Sequence, residues 1–418
     1  MKGTNCCKRL VTSCFWGGVI IAICGLCLSC SSNYLYRVAF WNFSDVNDYT
    51  RFPSRPLENQ PPAFHFREQP QHEAVAEIFR ALRVTSHGKP RPITDFETFL
   101  EETDTTAFLV IVDDALWYEG YFNGSRRDSI NTSFSVAKSF ASALIGIAID
   151  DGKIQSVDEP ITNYLPELKS KGFESVTIKH LLMMASGIAY KGGGLIDDNT
   201  KTYYRPDLRK LALQETRISG ASGERFLYNN YHPLLLGLIL ERATQTPVTE
   251  YLQEKIWKRI GMEFPGSWSI DSERSGFAKM ESGINARAID FAKFGRLFLR
   301  EGNWEGQQIL SREWVRESTR QAAVPNRDDY YRLHRDWPMF QLRDGGGYYT
   351  YMWWGIQRDA ANYDFLAIGH LGQFIYVCPS QRLTIVRNGL NYGDIDSWEQ
   401  LFFDFATQIG ASLKKRHV

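Results

Sequence analysis

The 418-residue sequence predicts an α/β fold of the α+β kind: one sheet assembled from both ends of the chain, with a helical insertion beside it. Two observations predict it. Apolar, β-rich runs occur near residue 110 and again after residue 350, and the text between about 155 and 320 is mostly of helical period. A third helps: the chain closes on a helix-like segment, "SWEQLFFDFATQIGASL", and carries no 20–50-residue repeat.

Taken in order, "AFLVIVDDALWYEGYFNG" reads as two strands turning at Asp113-Asp114. From Ser133 to Ile149 the apolar positions Val136, Phe140, Ala143, Leu144 and Ile147 follow helical spacing, and Asp150-Asp151-Gly152 ends the run. "VTIKHLLMMASGI", "HPLLLGLILERA" and "AIDFAKFGRLFLRE" supply helices of the middle. "YMWWGIQ", "DFLAIGH", "FIYVCPS" and "LTIVRNG" return to strands. "HEAVAEIFRALRV" is a helix without a zinc motif, because Ala76 stands where a second histidine would be needed.

Composition narrows the function. At 43% hydrophobic and 14% aromatic residues, the chain can bury a sizeable core. Lys plus Arg number 48, as do Asp plus Glu, so no bulk field draws nucleic acid or acidic polymers. Six of seven cysteines precede residue 31, leaving Cys378 in the apolar "FIYVCPS" as a small buried hydrophobe with no disulfide partner. No His/Asp/Cys cluster suggests a metal, and no cofactor motif is present.

The first 36 residues read as a signal peptide or membrane anchor. Lys2, Lys8 and Arg9 precede a stretch uncharged from Leu10 to Tyr36, the layout that leaves the positive end in the cytoplasm. The most apolar part, Phe15 to Leu28, is short of the roughly 20 residues of a full span. The expectation is attachment to a membrane with the remainder on its extracytoplasmic side. Residues 37–74, rich in Pro, Gln and charge, read as a linker, and 75–418 as the globular domain.

The chemistry begins at "SVAK". Ser-x-x-Lys occurs three times, at Ser86/Lys89, Ser135/Lys138 and Ser412/Lys415. The first lies in a turn and the last in a basic tail; only Ser135 leads into an apolar helix. There the two side chains share a face one turn apart. A lysine held in a dry cleft has a lowered pKa and can take the serine proton. By itself, matched three times in one chain, the pair reads more readily as a helix cap and a solvated lysine. Tyr228-Asn229-Asn230 precedes one apolar helix, and His370-Leu371-Gly372 an apolar strand.

Together and in this order, the three motifs resemble the serine β-lactamase and penicillin-binding protein superfamily. The likeness is to its class C-like branch and within it to the aminohexanoate-dimer hydrolases and related esterases, over roughly residues 75 to 415. The resemblance implies an antiparallel sheet flanked by helices plus a helical subdomain. It implies Ser135 as acylated nucleophile, Lys138 as its activator and Tyr228 as proton shuttle. Asn230 would hold the substrate or Lys138, and His370 would position Tyr228 or the substrate. Gly372 completes the third motif. The backbone N–H groups of Ser135 and Gln373 would form the oxyanion hole. Tyr190 reads as a cleft-lining or packing aromatic.

His370 stands where many relatives carry lysine. That weakens a clamp for a substrate carboxylate and points toward an esterase or amidase. The alternative is a penicillin-binding or peptidoglycan-fragment sensor, or a D-amino peptidase, with little turnover. Specificity is expected in the loops around 190–205 and 325–350. The sequence leaves the substrate and the oligomeric state open.

Overall fold

The computed structural model describes residues 34–41, 43–193, 197–343 and 346–416. Most of the predicted targeting segment, 1–33, lies outside them, as do the loop positions 194–196 and 344–345 and the side chains of Ser412 and Lys415.

Both ends of the chain meet in one sheet. Thr105–Val112 pairs antiparallel with Leu383–Gly389 at its middle. From one edge the eight strands run Gly347–Thr350, Trp353–Gln357, Tyr363–Gly369, Gln373–Cys378, Leu383–Gly389, Thr105–Val112, Ala115–Tyr121 and Arg67–Glu68. Every pair is antiparallel except the last, a two-residue parallel edge. Each predicted strand is present. Asp113 and Asp114 both take positive φ, 51° and 61°, the left-handed pair that a two-residue hairpin turn requires. Asp114 then accepts two 2.8 Å hydrogen bonds from Arg296, tying the hairpin to the helix Ala288–Leu299.

Thr105–Val112 is buried along its whole length, so both sheet faces are covered. One face packs against Ala288–Leu299, where Gly295 leaves room for the methyls of Thr384 and Ile375. On the other, Phe79 of the helix His72–Ala81 stacks on Phe405 of the C-terminal helix at 4.5 Å and meets Phe108 edge-on. Cys378 is buried and free.

The helix predicted over Ser133 to Ile149 is α-helical from Ala137 to Asp150, after a 3-10 turn at Phe134–Val136. It is buried on nearly every side, as a helix apolar all round must be. Tyr231–Thr244 packs beside it as the core of the helical part.

Residues 37–74 depart from the linker reading. Ser54–Leu57 forms the edge of a second sheet, antiparallel to Gly266–Ser269, and Leu57 and Phe66 enter the core. Pro56 fits an edge strand, where a missing N–H costs nothing. Arg37 is buried, donating at 2.7 Å to the Asp271 carbonyl. Four residues with one proline are too few to show strand alternation in sequence, which is why composition mistook this stretch for a connector. Ile284–Ala286 and Asn131–Thr132 complete the small sheet and deliver the chain to Ser135.

Candidate active site

Ser135 sits on the 3-10 turn, not on the helix proper. Phe134 before it holds φ at +44°, a strained value for a bulky residue, and its ring meets His370 edge-on at 5.5 Å. Lys138, on the first turn of the helix, is buried, and its Nζ lies 2.8 Å from Ser135 Oγ and 3.0 Å from the Glu281 carbonyl. Burial pulls the Lys138 ammonium down to about 7, against an opposing pull from the Glu281 carboxylate. A lysine poised there can surrender its proton near neutral pH and accept the serine's across the same 2.8 Å.

Tyr228 comes from the turn before the helix Tyr231–Thr244. Its ring stacks on Trp354 at 5.8 Å, and Lys138 Nζ sits 5.0 Å from its centroid. Burial raises the phenol well above its ordinary value, while a hydrogen bond with Ser135 opposes the rise. Tyr228 therefore stays protonated at neutral pH. Its backbone N–H donates to His334 Nε2 at 3.1 Å, an acceptor role that suits a ring held neutral by burial, at about 4.

Phe134, Ser135, Tyr228, Glu281 and Trp354 line a cavity of about 790 Å³ together with Asn230, Trp337, Ile368 and His370, and Lys138 stands behind Ser135. Both loops expected to set specificity reach it, through Tyr203 and Tyr204 on one side and Trp337 to Met339 on the other. A third segment, 395–399, had no signal in sequence. Burial lowers the His370 imidazole, so it carries no charge at neutral pH. Among the described residues, no lysine or arginine lines the cavity wall, whereas Asp197, Asp396 and Glu399 do.

Three expected residues stand elsewhere. Gly372 and Gln373 lie outside the wall. Residues 370–372 form the turn between two strands, and the cavity is bordered by the strand end before that turn, Ile368 to His370. Gln373 is buried and spends its side chain on the Leu371 and Gly389 carbonyls. Gly372, at φ +75°, has Arg387 where a Cβ would be. Tyr190 stands behind the wall, donating at 2.7 Å to Asn199, which does line the cavity. Asn230 lines it and bonds with Tyr190; the Nζ of Lys138 is held by Ser135 and Glu281.

A family model described as Beta-lactamase matches residues 95–386. The chain belongs to the Beta-lactamase family. It is a hydrolase of that family, related to aminohexanoate-dimer hydrolases and esterases. It is 27% identical over 312 residues to the 6-aminohexanoate-dimer hydrolase of Paenarthrobacter ureafaciens, covering 71% of this chain and 75% of that one. It is 29% identical over 163 residues to esterase EstB of Burkholderia gladioli, 36% of this chain and 41% of the esterase. In fold it is similar to a Bacillus anthracis protein provisionally described as a 6-aminohexanoate-dimer hydrolase, with a TM-score of 0.71, 23% identity, and coverage of 92% and 97%. The Beta-lactamase fold also appears in the octameric penicillin-binding protein homologue of Pyrococcus abyssi, at a TM-score of 0.57, 18% identity and 76% of each chain.

Two of this hydrolase's site residues had no sequence signal. Glu281 forms a buried 2.9 Å ion pair with Lys279 and biases Lys138. Replacing it by Gln is expected to lower the Lys138 pKa further, moving the acid limb of a kcat/KM profile to lower pH. Unpairing Lys279 should also cost about 3 kcal/mol, read from urea melts. Gly369 is the second. A Cβ there would stand 2.3 Å from the Ser133 carbonyl oxygen. Gly369→Ala should destabilise by about 1–3 kcal/mol and, by displacing the Ser135 turn, reduce kcat/KM roughly a hundredfold; steady-state kinetics and thermal melts check both.

Proposed function

We propose that this chain is a serine hydrolase that cleaves an amide or ester bond through a covalent acyl-Ser135 intermediate. The observation that carries this reading is a buried lysine, titrating near 7, at hydrogen-bond distance from a serine in a large cavity. Neutral Lys138 takes the proton as Ser135 Oγ attacks the substrate carbonyl carbon. Tyr228, still protonated, relays that proton to the leaving nitrogen or oxygen, and the leaving group departs. Water then attacks the acyl carbon, gives its proton to the Lys138–Tyr228 pair, and Ser135 is released as the alcohol.

The negative charge that builds on the carbonyl oxygen needs two N–H donors. Ser135 supplies one. For the second, the strand edge at Ile368–His370 is better placed than Gln373. Leu366, opposite Trp354, is the last residue of its strand paired on that side, so the edge beyond it is open toward the cavity.

The wall favours neutral or amine-bearing substrates. A penicillin-like carboxylate would meet Asp197 and Asp396, with His370 uncharged and the buried Glu399 carboxyl pushed up toward its neutral form. This agrees with the amide named for the Paenarthrobacter ureafaciens relative and the esters implied by the name EstB. The charged start and apolar run at the N-terminus support placing the domain on the extracytoplasmic side of a membrane. The test is turnover of a p-nitrophenyl ester, an aminohexanoate dimer and a penicillin side by side. Release of nitrophenol or of aminohexanoate, lost in Ser135→Ala, is expected. A stable penicillin adduct with no turnover of any of the three would replace this reading by that of a sensor.

A further inference from the structure

We infer that the rim of the catalytic cavity seats in a lipid bilayer and that the substrate is an amphiphile, an ester or amide bearing a long apolar chain, taken from that bilayer. The inference rests on the hydrolase reading above.

The large apolar side chains left exposed among the described residues are not scattered. They fall in three short segments: 35–43, 333–337 and 390–392. Each segment also contributes a wall residue to the one cavity that holds Ser135, namely Phe43, Trp337 and Tyr392. A residue that both lines a cavity and faces solvent stands at its rim. Phe43 is 81% exposed, and beside it Phe40 is 72% and Leu35 62% exposed. Leu333, 53% exposed, and Leu390, 40% exposed, belong to the same short segments as Trp337 and Tyr392. Single exposed apolar residues need no explanation, but three exposed apolar segments that each reach one opening mark an interaction site.

What covers this rim is indicated by the chain itself. The first described residue, Tyr34, packs with Phe52 and Tyr204, and Tyr204 is a wall residue of the cavity. The uncharged run from Leu10 to Tyr36 therefore ends at the rim, and any bilayer holding that run lies beside the opening. The side-chain types suit an interface: Trp337 and Tyr392 are the residues favoured at head-group depth. Arg332 and Arg335, on either side of Leu333, pair with Asp329 and Asp336, and Asp394 and the wall residue Asp396 are further acidic members of the border. A cavity of about 790 Å³ with an aromatic wall has room for an acyl chain.

The test uses the full chain reconstituted in phosphatidylcholine vesicles, with a water-soluble nitrophenyl butyrate and a bilayer-dissolved nitrophenyl palmitate as paired probes. The charge variants Leu35→Glu with Phe40→Glu, and Leu333→Glu with Leu390→Glu, alter none of the wall residues. Each pair is expected to lower the palmitate rate at least tenfold and the butyrate rate less than twofold. Equal effects on both probes, or an unchanged palmitate rate, overturn the inference while leaving the hydrolase reading intact. Absence of butyrate turnover in the wild type counts against the hydrolase reading instead. Quenching by brominated lipid, taken as the difference between wild type and Trp337→Phe, then decides the seating without catalysis: a difference supports it and none overturns it. Loss of a dimer in the charge variants, seen by light scattering without a palmitate effect, assigns the rim to a second copy and overturns it likewise.

Discussion

Lys138→Met is expected to lose about 10²–10⁴-fold in kcat/KM and, at the same time, to make the protein more stable. Both effects come from one property. The Lys138 ammonium is buried, and burial brings its pKa to about 7 from an ordinary 10.5. In the folded chain it is therefore largely a neutral base above that pH. Removing it leaves Ser135 Oγ without a proton acceptor at 2.8 Å. The wild-type rate should rise as pH climbs through about 7, and the residual rate of the variant should lack that limb.

The stability effect follows from proton linkage. Between about pH 7 and 10.5 the unfolded chain holds a proton on Lys138 that the folded chain does not, so wild-type stability rises with pH across that window. Below it both states are protonated and the folded state bears the full cost of a buried cation, of the order of a few kcal/mol. Methionine, similar in volume and uncharged, escapes this cost. Its gain in melting temperature should be greatest below pH 7 and shrink as pH rises. A variant no more stable at pH 6 than at pH 9, relative to wild type, would contradict the assigned burial.

Arg387→Ala is expected to be the most destabilising single change in the sheet, by about 3–5 kcal/mol. Arg387 is fully buried and, among the described residues, forms no ion pair. Its guanidinium donates to the carbonyls of Gly372, Thr103 and Asn391 and to Thr105 Oγ1, and lies 4.0 Å over the Trp398 ring. Truncation strands those acceptors and leaves a cavity. It also frees the 370–372 turn, so kcat/KM should fall with stability. Arg387→Met, which keeps most of the volume, should recover the packing share of the loss but not the hydrogen-bonding share. Urea midpoints of the three proteins, with kinetics beside them, separate the two.

These residues show what sequence reading reaches. Ser135 and Lys138 were legible as a pair because they lie three residues apart at the head of an apolar helix, a spacing written in the chain. Tyr228 and His370 were legible as motifs heading apolar elements. Strand and helix types followed from periodicity, which survives wherever an element has one long buried face. Glu281 and Gly369 were not legible, since each acts on a partner reached only through tertiary folding: Lys138 in one case, Ser133 in the other. Trp337 and Trp354 resemble ordinary core aromatics until the fold sets them around Tyr228. Gln373 was placed in the site because the sequence does not reveal that a three-residue turn puts the preceding strand end, and not residue 373, against the cavity. Arg387, in "LTIVRNG", gave no sign that a strand arginine would be the hub of a turn.

The central claim is a covalent bond to Ser135. Intact-mass spectrometry of the full chain, quenched within the first turnovers of a nitrophenyl ester and followed by peptide mapping, tests it most directly. One added acyl group is expected, on the peptide containing Ser135, absent from Ser135→Ala and formed slowly in Lys138→Met. Ester turnover that persists in Ser135→Ala, or an acyl group mapped to another residue, would contradict it.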